Sequence, residues 1–152
     1  MTRSAPASLP FEVTREVARA CLCLHAQRAA RALARRFDAA LRPFGLTNGQ
    51  FSLLMSLNRA HPPAAGSVAD GLALDRTTLT ANLKPLERRG LVRSTIDELD
   101  RRVRRLELTP EGAALLLAAV PVWRREHAAI ERDLPDADRL RDDLRALSAH
   151  DN

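Results

Sequence analysis

Tyrosine is absent from this chain of 152 residues, and its aromatic side chains are limited to Trp123 and four phenylalanines, Phe11, Phe37, Phe44 and Phe51. So few rings argue against a platform on which single-stranded bases stack. Lysine is almost missing too: of 24 basic residues, all but Lys84 are arginine. No run approaches the roughly 20 apolar residues needed to span a bilayer. The opening MTRSAPASLP lacks the apolar segment of a secretory signal, so the expected location is cytoplasmic. In that compartment Cys21 and Cys23, the two cysteines, are expected as reduced thiols.

Catalytic signatures are missing as well. There is no glycine-rich phosphate loop, and no serine or cysteine nucleophile stands near a histidine and a carboxylate in a known local pattern. An enzyme and a cofactor are therefore not expected. Cys21 and His25 share a helix face at i, i+4, but two ligands do not make a metal site. His61, His127 and His150 are scattered and read as surface or packing residues, so no metal is expected.

What is present is a basic, mostly helical pattern. The net charge is +5 and 45% of residues are hydrophobic, enough for one compact domain and too little for two. Arginine suits bidentate contact with phosphate and guanine. After a flexible tail over residues 1–10, residues 12–42 lack interior Pro and Gly and read as one long helix. It carries two apolar ridges, Val13-Val17-Cys21-Leu24 and Leu22-Ala26-Leu33-Phe37-Leu41. A single monomer core cannot easily cover both, which points to a partner subunit.

Pro43 and Gly45 end that helix. Thr47 and Gln50 form a capping-box pattern for a helix over about 47–60. HPPAAG is a loop, a short helix follows over about 67–72, and Asp75 is the expected N-cap of a helix running to about Arg89, closed by Gly90. Residues 91–96 and 103–108 alternate apolar and polar as two strands of a hairpin. Its tip, DELDRR, is charged apart from Leu99. Thr109 and Pro110 then start a helix of about 20 residues, which Pro121 should kink. A last helix beginning near Pro135 places Leu140, Leu144 and Leu147 on one stripe. The fold class expected is mainly α with a small β-hairpin wing, in which a winged helix-turn-helix over about 47–109 is flanked by helices at 12–42 and 110–149.

In such a motif the second helix enters the major groove of double-stranded DNA. Leu79, Leu83 and Leu86 hold its inner face, leaving Arg76, Thr77, Thr78, Thr80, Ala81, Asn82 and Lys84 outward. Threonine reaches phosphates or thymine methyls, Asn82 can pair with adenine, and Arg76 and Lys84 neutralise phosphate. Arg101, Arg102, Arg104 and Arg105 crowd the hairpin, a density that suits a narrow minor groove. Balanced by Asp97, Glu98 and Asp100, the same tip could equally be a solvated loop. A sequence-independent architectural DNA binder would use the same arginines without needing the Thr- and Asn-bearing helix.

GLTNGQFSLL, LALDRTTLTANLKPLERRGLV and DRRVRRLELTPEG together resemble the MarR family of transcriptional regulators, and the resemblance runs over essentially the whole chain. It implies a homodimer held by the first and last two helices, with two winged motifs facing a pseudo-palindromic operator. It also implies that Arg102 is the minor-groove arginine and that Asp100 orients the wing arginines. The usual mode of the family is repression, released by a small aromatic or lipophilic ligand or by an oxidant. By the spacing of the organic-hydroperoxide sensors of that family, Cys23 is the candidate reactive thiol. The tyrosines of those sensors are replaced here by Phe37 and Asn48. On a continuous helix Cys21 and Cys23 point about 200° apart, so a disulfide would need the partner. For a small aromatic acid, His25, Arg28, Phe51, Met55 and Trp123 are the candidate pocket residues.

Overall fold

A computed structural model describes residues 8–149. His150 and residues 1–7 of the expected tail lie outside the described residues. The chain divides into two compact units, Met1–Arg35 and Arg36–Asn152.

The N-terminal unit corrects the expectation of one long helix. Helix α1 covers Phe11–Ala20 and α2 covers Leu22–Leu41, with Cys21 extended between them at φ −72° and ψ 103°. The Cys21 sulfur accepts the Leu24 backbone N–H at 3.4 Å, taking the place of the hydroxyl oxygen that usually caps a helix start. The His25 ring nitrogen Nε2 lies 3.1 Å from the Arg19 carbonyl, one of the groups α1 leaves without a helical partner. Side chains thus end one helix and begin the next without proline or glycine. Because Cys21 is extended and not helical, Cys21 and Cys23 are not set apart by the helical rotation expected from the sequence. Of the two apolar ridges, Leu22 (67%), Val17 (54%) and Leu33 (41%) remain exposed.

The larger unit is built on a leucine core. Gly45, in the left-handed region, ends a single 3-10 turn and leads into α3, Asn48–Leu57. Both halves of the Thr47/Gln50 capping box form, and Asp38 accepts the Asn48 N–H at 2.7 Å. The helix ends three residues before the expected limit, where Asn58 caps it. Helix α4 occupies Ala65–Gly71, starting two residues early, and α5 occupies Arg76–Arg88. Leu53, Leu54 and Leu86 are sealed together with Leu41 and Leu106.

Strands β1, Val92–Ile96, and β2, Arg104–Leu108, pair antiparallel with Val92 opposite Leu108 and Ile96 opposite Arg104. The preceding loop adds to the outer edge of β2, where Leu106 N–H donates to the Pro63 carbonyl at 3.0 Å and Ala64 bridges Arg105. Thr109 caps α6, Pro110–Glu131, which continues through Pro121. Gly112 lets α6 approach the base of the hairpin, because a Cβ there would stand 2.3 Å from the Leu91 carbonyl oxygen. Helix α7, Ala137–Ser148, is capped by Asp136 and buries no residue. Among the described residues no helix is long and apolar enough to cross a membrane.

Candidate nucleic-acid interface

Helix α5 is fixed from within and open on its other side. Leu79, Leu83 and Leu86 are buried, while Arg76, Thr77, Thr78, Thr80, Ala81 and Lys84 are exposed and Asn82 is half-buried. Asp75 caps the helix by accepting the Thr78 N–H at 2.7 Å and the Thr78 hydroxyl at 2.9 Å. Those bonds, the backbone one first, hold the Asp75 carboxyl below its ordinary pKa. The Thr80 hydroxyl donates to the Arg76 carbonyl, and the Asn82 amide donates to the Thr78 carbonyl at 3.2 Å. The Asn82 amide lies against Gly49 of α3, where an added Cβ would stand 3.5 Å from its oxygen, while Thr77, Thr78 and Thr80 stay exposed.

The wing is organised differently, around its carboxylates. Asp97 accepts the N–H groups of Leu99 and Asp100 at 2.9 and 3.0 Å, and its second oxygen accepts Arg105 Nε at 2.6 Å. Asp100 accepts both the backbone N–H and the guanidinium of Arg102. Both acids are held below their ordinary pKa. For Asp97 the main cause is the Asp100 N–H with Arg105 next, and for Asp100 it is the Arg102 side chain. Arg104 reaches away from the tip to Glu87 of α5 at 2.9 Å. Arg101 has no ion-pair partner among the described residues. A turn built by Asp97 thus presents Arg101 and Arg102, both exposed, beyond the strands.

A cavity of about 610 Å³ lies in the same unit, between α3, α4 and α6. It brings together Phe51, Met55 and Trp123, three of the residues grouped from the sequence. Phe51 and Trp123 lie nearly parallel, at 19° with centroids 6.3 Å apart. His25 and Arg28 belong to the N-terminal unit and are not in this lining. The cations that do line it are Arg59 and Arg124. Sequence reasoning passed over both; the one available signal was that Arg124 adjoins the lone tryptophan. Cys21 is half-buried and Cys23 exposed, and the Gln27 side chain donates to the Cys23 sulfur at 3.1 Å. Among the described residues no group of three metal-ligating side chains occurs.

Several known proteins are similar to this chain. A model of the MarR family matches residues 46–103, the stretch from α3 to the wing. PecS of Dickeya dadantii, an HTH-type transcriptional regulator, is 34% identical over 118 residues, covering 74% of this chain and 69% of PecS. The transcriptional repressor NicR of Pseudomonas putida is 36% identical over 80 residues, 53% of this chain and 51% of NicR. Among solved structures, the Mycobacterium tuberculosis regulator MosR in complex with DNA superposes with a TM-score of 0.79 at 41% identity, over 86% of this chain and 95% of MosR. The repressor CouR bound to a 23-mer DNA duplex gives 0.71 at 29% identity, over 95% and 98%. The relatives are transcription regulators and not enzymes, as expected from the sequence. The chain belongs to the MarR family of winged helix-turn-helix transcriptional regulators.

Proposed function

We propose that the chain is a repressor that binds a pseudo-palindromic DNA duplex as a homodimer and releases it when a small aromatic acid or an oxidant acts on it. The observation that carries the DNA reading is the pairing, in one unit, of a capped α5 with an open polar face and a wing presenting arginines. Arg76, Thr77, Thr78, Thr80, Asn82 and Lys84 would meet the major groove and its phosphates. Arg101 and Arg102 would meet the minor groove, with Asp100 aligning Arg102; Arg104, grouped with them in the sequence, is paired with Glu87 instead.

Apolar side chains without cover support the homodimer. Leu117 of α6 is 78% exposed, Leu140, Leu144 and Leu147 form a stripe on α7, and Phe11 and Val17 stand out from α1. A second copy of the chain would bury them, making the helices at about 12–42 and 110–149 the dimerisation elements around the winged motif. With half-sites about one turn of duplex apart, two wings and two α5 helices would engage together.

For release, the cavity offers an aromatic wall, in which Phe51 and Trp123 stack on each other, and two guanidinium groups for a carboxylate. Exposed Cys23 supports the oxidant reading. An organic hydroperoxide would transfer one oxygen to the Cys23 thiolate, giving a sulfenate and the corresponding alcohol. Anisotropy titrations on the chain's own promoter DNA test these readings. Benzoate should weaken binding in the wild type and not in Arg124→Ala, or cumene hydroperoxide should do so in the wild type and not in Cys23→Ser. Binding insensitive to both would remove the release step, and absence of preference for promoter over scrambled duplex would remove the repressor.

A further inference from the structure

Four wing arginines are each paired with an acid, but the acids differ in origin. Arg93, Arg102 and Arg105 are held by Glu107, Asp100 and Asp97, which belong to the hairpin itself. Arg104 is held by Glu87, which belongs to the last turns of α5. The same Glu87 oxygen, Oε1, accepts the Ser94 hydroxyl of β1 as well as the Arg104 guanidinium of β2. One carboxylate therefore ties the groove-reading helix to both strands of the wing. The Glu87 side chain is only 26% exposed, so water screens this pair less than it screens Arg102 with Asp100 at the tip.

We propose that Glu87 is a positioning residue that sets DNA specificity by fixing the wing against α5 and by withholding the Arg104 charge from phosphate. The proposal rests on the reading of α5 and the wing as the two groove-binding elements. Simultaneous contact in adjacent grooves demands a fixed distance between Arg102 at the tip and the Thr- and Asn-bearing face of α5. Within the hairpin, Asp97 and Asp100 maintain the shape of the tip but do not set its angle to the helix. Glu87 does, because its partners lie 7 and 17 residues away on two different strands. Neutralising Arg104 has the complementary effect. A free arginine at that position would add a phosphate contact on any sequence, raising non-specific affinity.

Loss of the latch thus lowers specific binding and raises non-specific binding together, which a residue of purely structural importance would not do. The full-length chain would be used to enrich one duplex from a random library, and that duplex and a scrambled version would be titrated at several salt concentrations. For Glu87→Ala the expected result is about a ten-fold loss on the enriched duplex and about a two-fold gain on the scrambled one. On the scrambled duplex the slope of log affinity against log salt should steepen by about one per subunit. In the Glu87→Ala background, Arg102→Ala should cost less than it does alone, because a loose wing no longer delivers Arg102. Glu87→Gln retains an acceptor oxygen and loses the charge. It should steepen the salt slope while keeping more of the preference, and it carries the test if Glu87→Ala fails to melt cooperatively. An unchanged preference and slope in both variants, equal losses on both duplexes, or additive penalties with Arg102→Ala would overturn the latch alone. A wild type that enriches no duplex would overturn the DNA reading beneath it.

Discussion

Helix α5 and the wing offer two solutions to presenting polar groups to an anionic partner. On α5 the outward side chains bond, if at all, to their own helix: Thr80 to the Arg76 carbonyl and Asn82 to the Thr78 carbonyl. The buried leucines beneath supply the rigidity. In the wing Val92 and Leu106 are buried at the base, and the shape of the tip comes from carboxylates that accept backbone N–H groups and arginines together. A short hairpin has too little apolar surface to hold itself rigid, so its charged pairs do what packing does for the helix. One region is ordered from below and the other from within.

The comparison can be broken most severely at the point where the two regions share a foundation. Gly112→Ala would drive a methyl into the Leu91 carbonyl and the Leu108 side chain, and a cost of about 3 kcal/mol is expected from overpacking against backbone. A melting curve lowered by several degrees or more is the outcome to look for. Next, Arg76→Ala with Lys84→Ala should weaken binding on every duplex and flatten the salt slope by about 0.9 for each phosphate that is no longer neutralised. Arg102→Ala should act differently, with about a ten-fold loss concentrated on operators whose wing sites have a narrow minor groove. Equal loss on narrow and wide grooves, read by anisotropy, would make Arg102 a plain phosphate ligand.

Two smaller effects follow from protonation. Asp75, Asp97 and Asp100 have carboxyls whose pKa is lowered by folding from 3.8. Their stabilisation is therefore complete above about pH 4 and is lost as pH falls through the lowered values. Acid unfolding of Asp75→Asn should accordingly show a weaker dependence on pH below 4 than the wild type. His127 lies against Phe37 and Trp123. Burial first, and the nearby Arg141 second, lower its pKa below 6.5. The folded state thus favours the neutral ring, so stability should be full above pH 6.5 and decline as pH falls through that value toward the folded one. Melting temperatures between pH 7.5 and 5.5 should fall slightly in the wild type and less in His127→Gln.

Legibility in the sequence followed the range of the interactions. Thr47 with Gln50, Asp75, and Thr109 with Pro110 announce helix starts through bonds spanning three residues, and all three caps form. Gly90 adopts the positive φ expected of a helix-closing glycine. The alternation around Leu106 placed both strands to within a residue or so. The break at Cys21 was not legible, because a thiol and a histidine cap the two helix ends in place of proline or glycine. Nor was the union of Glu87 with Ser94 and Arg104, since LERRG carries no mark of which strand its glutamate will meet. Phe51, Met55 and Trp123 could be grouped by chemistry. Arg59 and Arg124 join them only once α3 and α6 are packed.

In the proposed division of labour α5 would read base edges while the wing would hold register. An anisotropy titration of wild type and Asn82→Ala on the enriched duplex, and on copies with single base changes under α5, tests it most directly. The wild type should distinguish the copies by about five-fold or more at one adenine position, and Asn82→Ala should lose discrimination at that position alone. Identical discrimination profiles for the two proteins would contradict it.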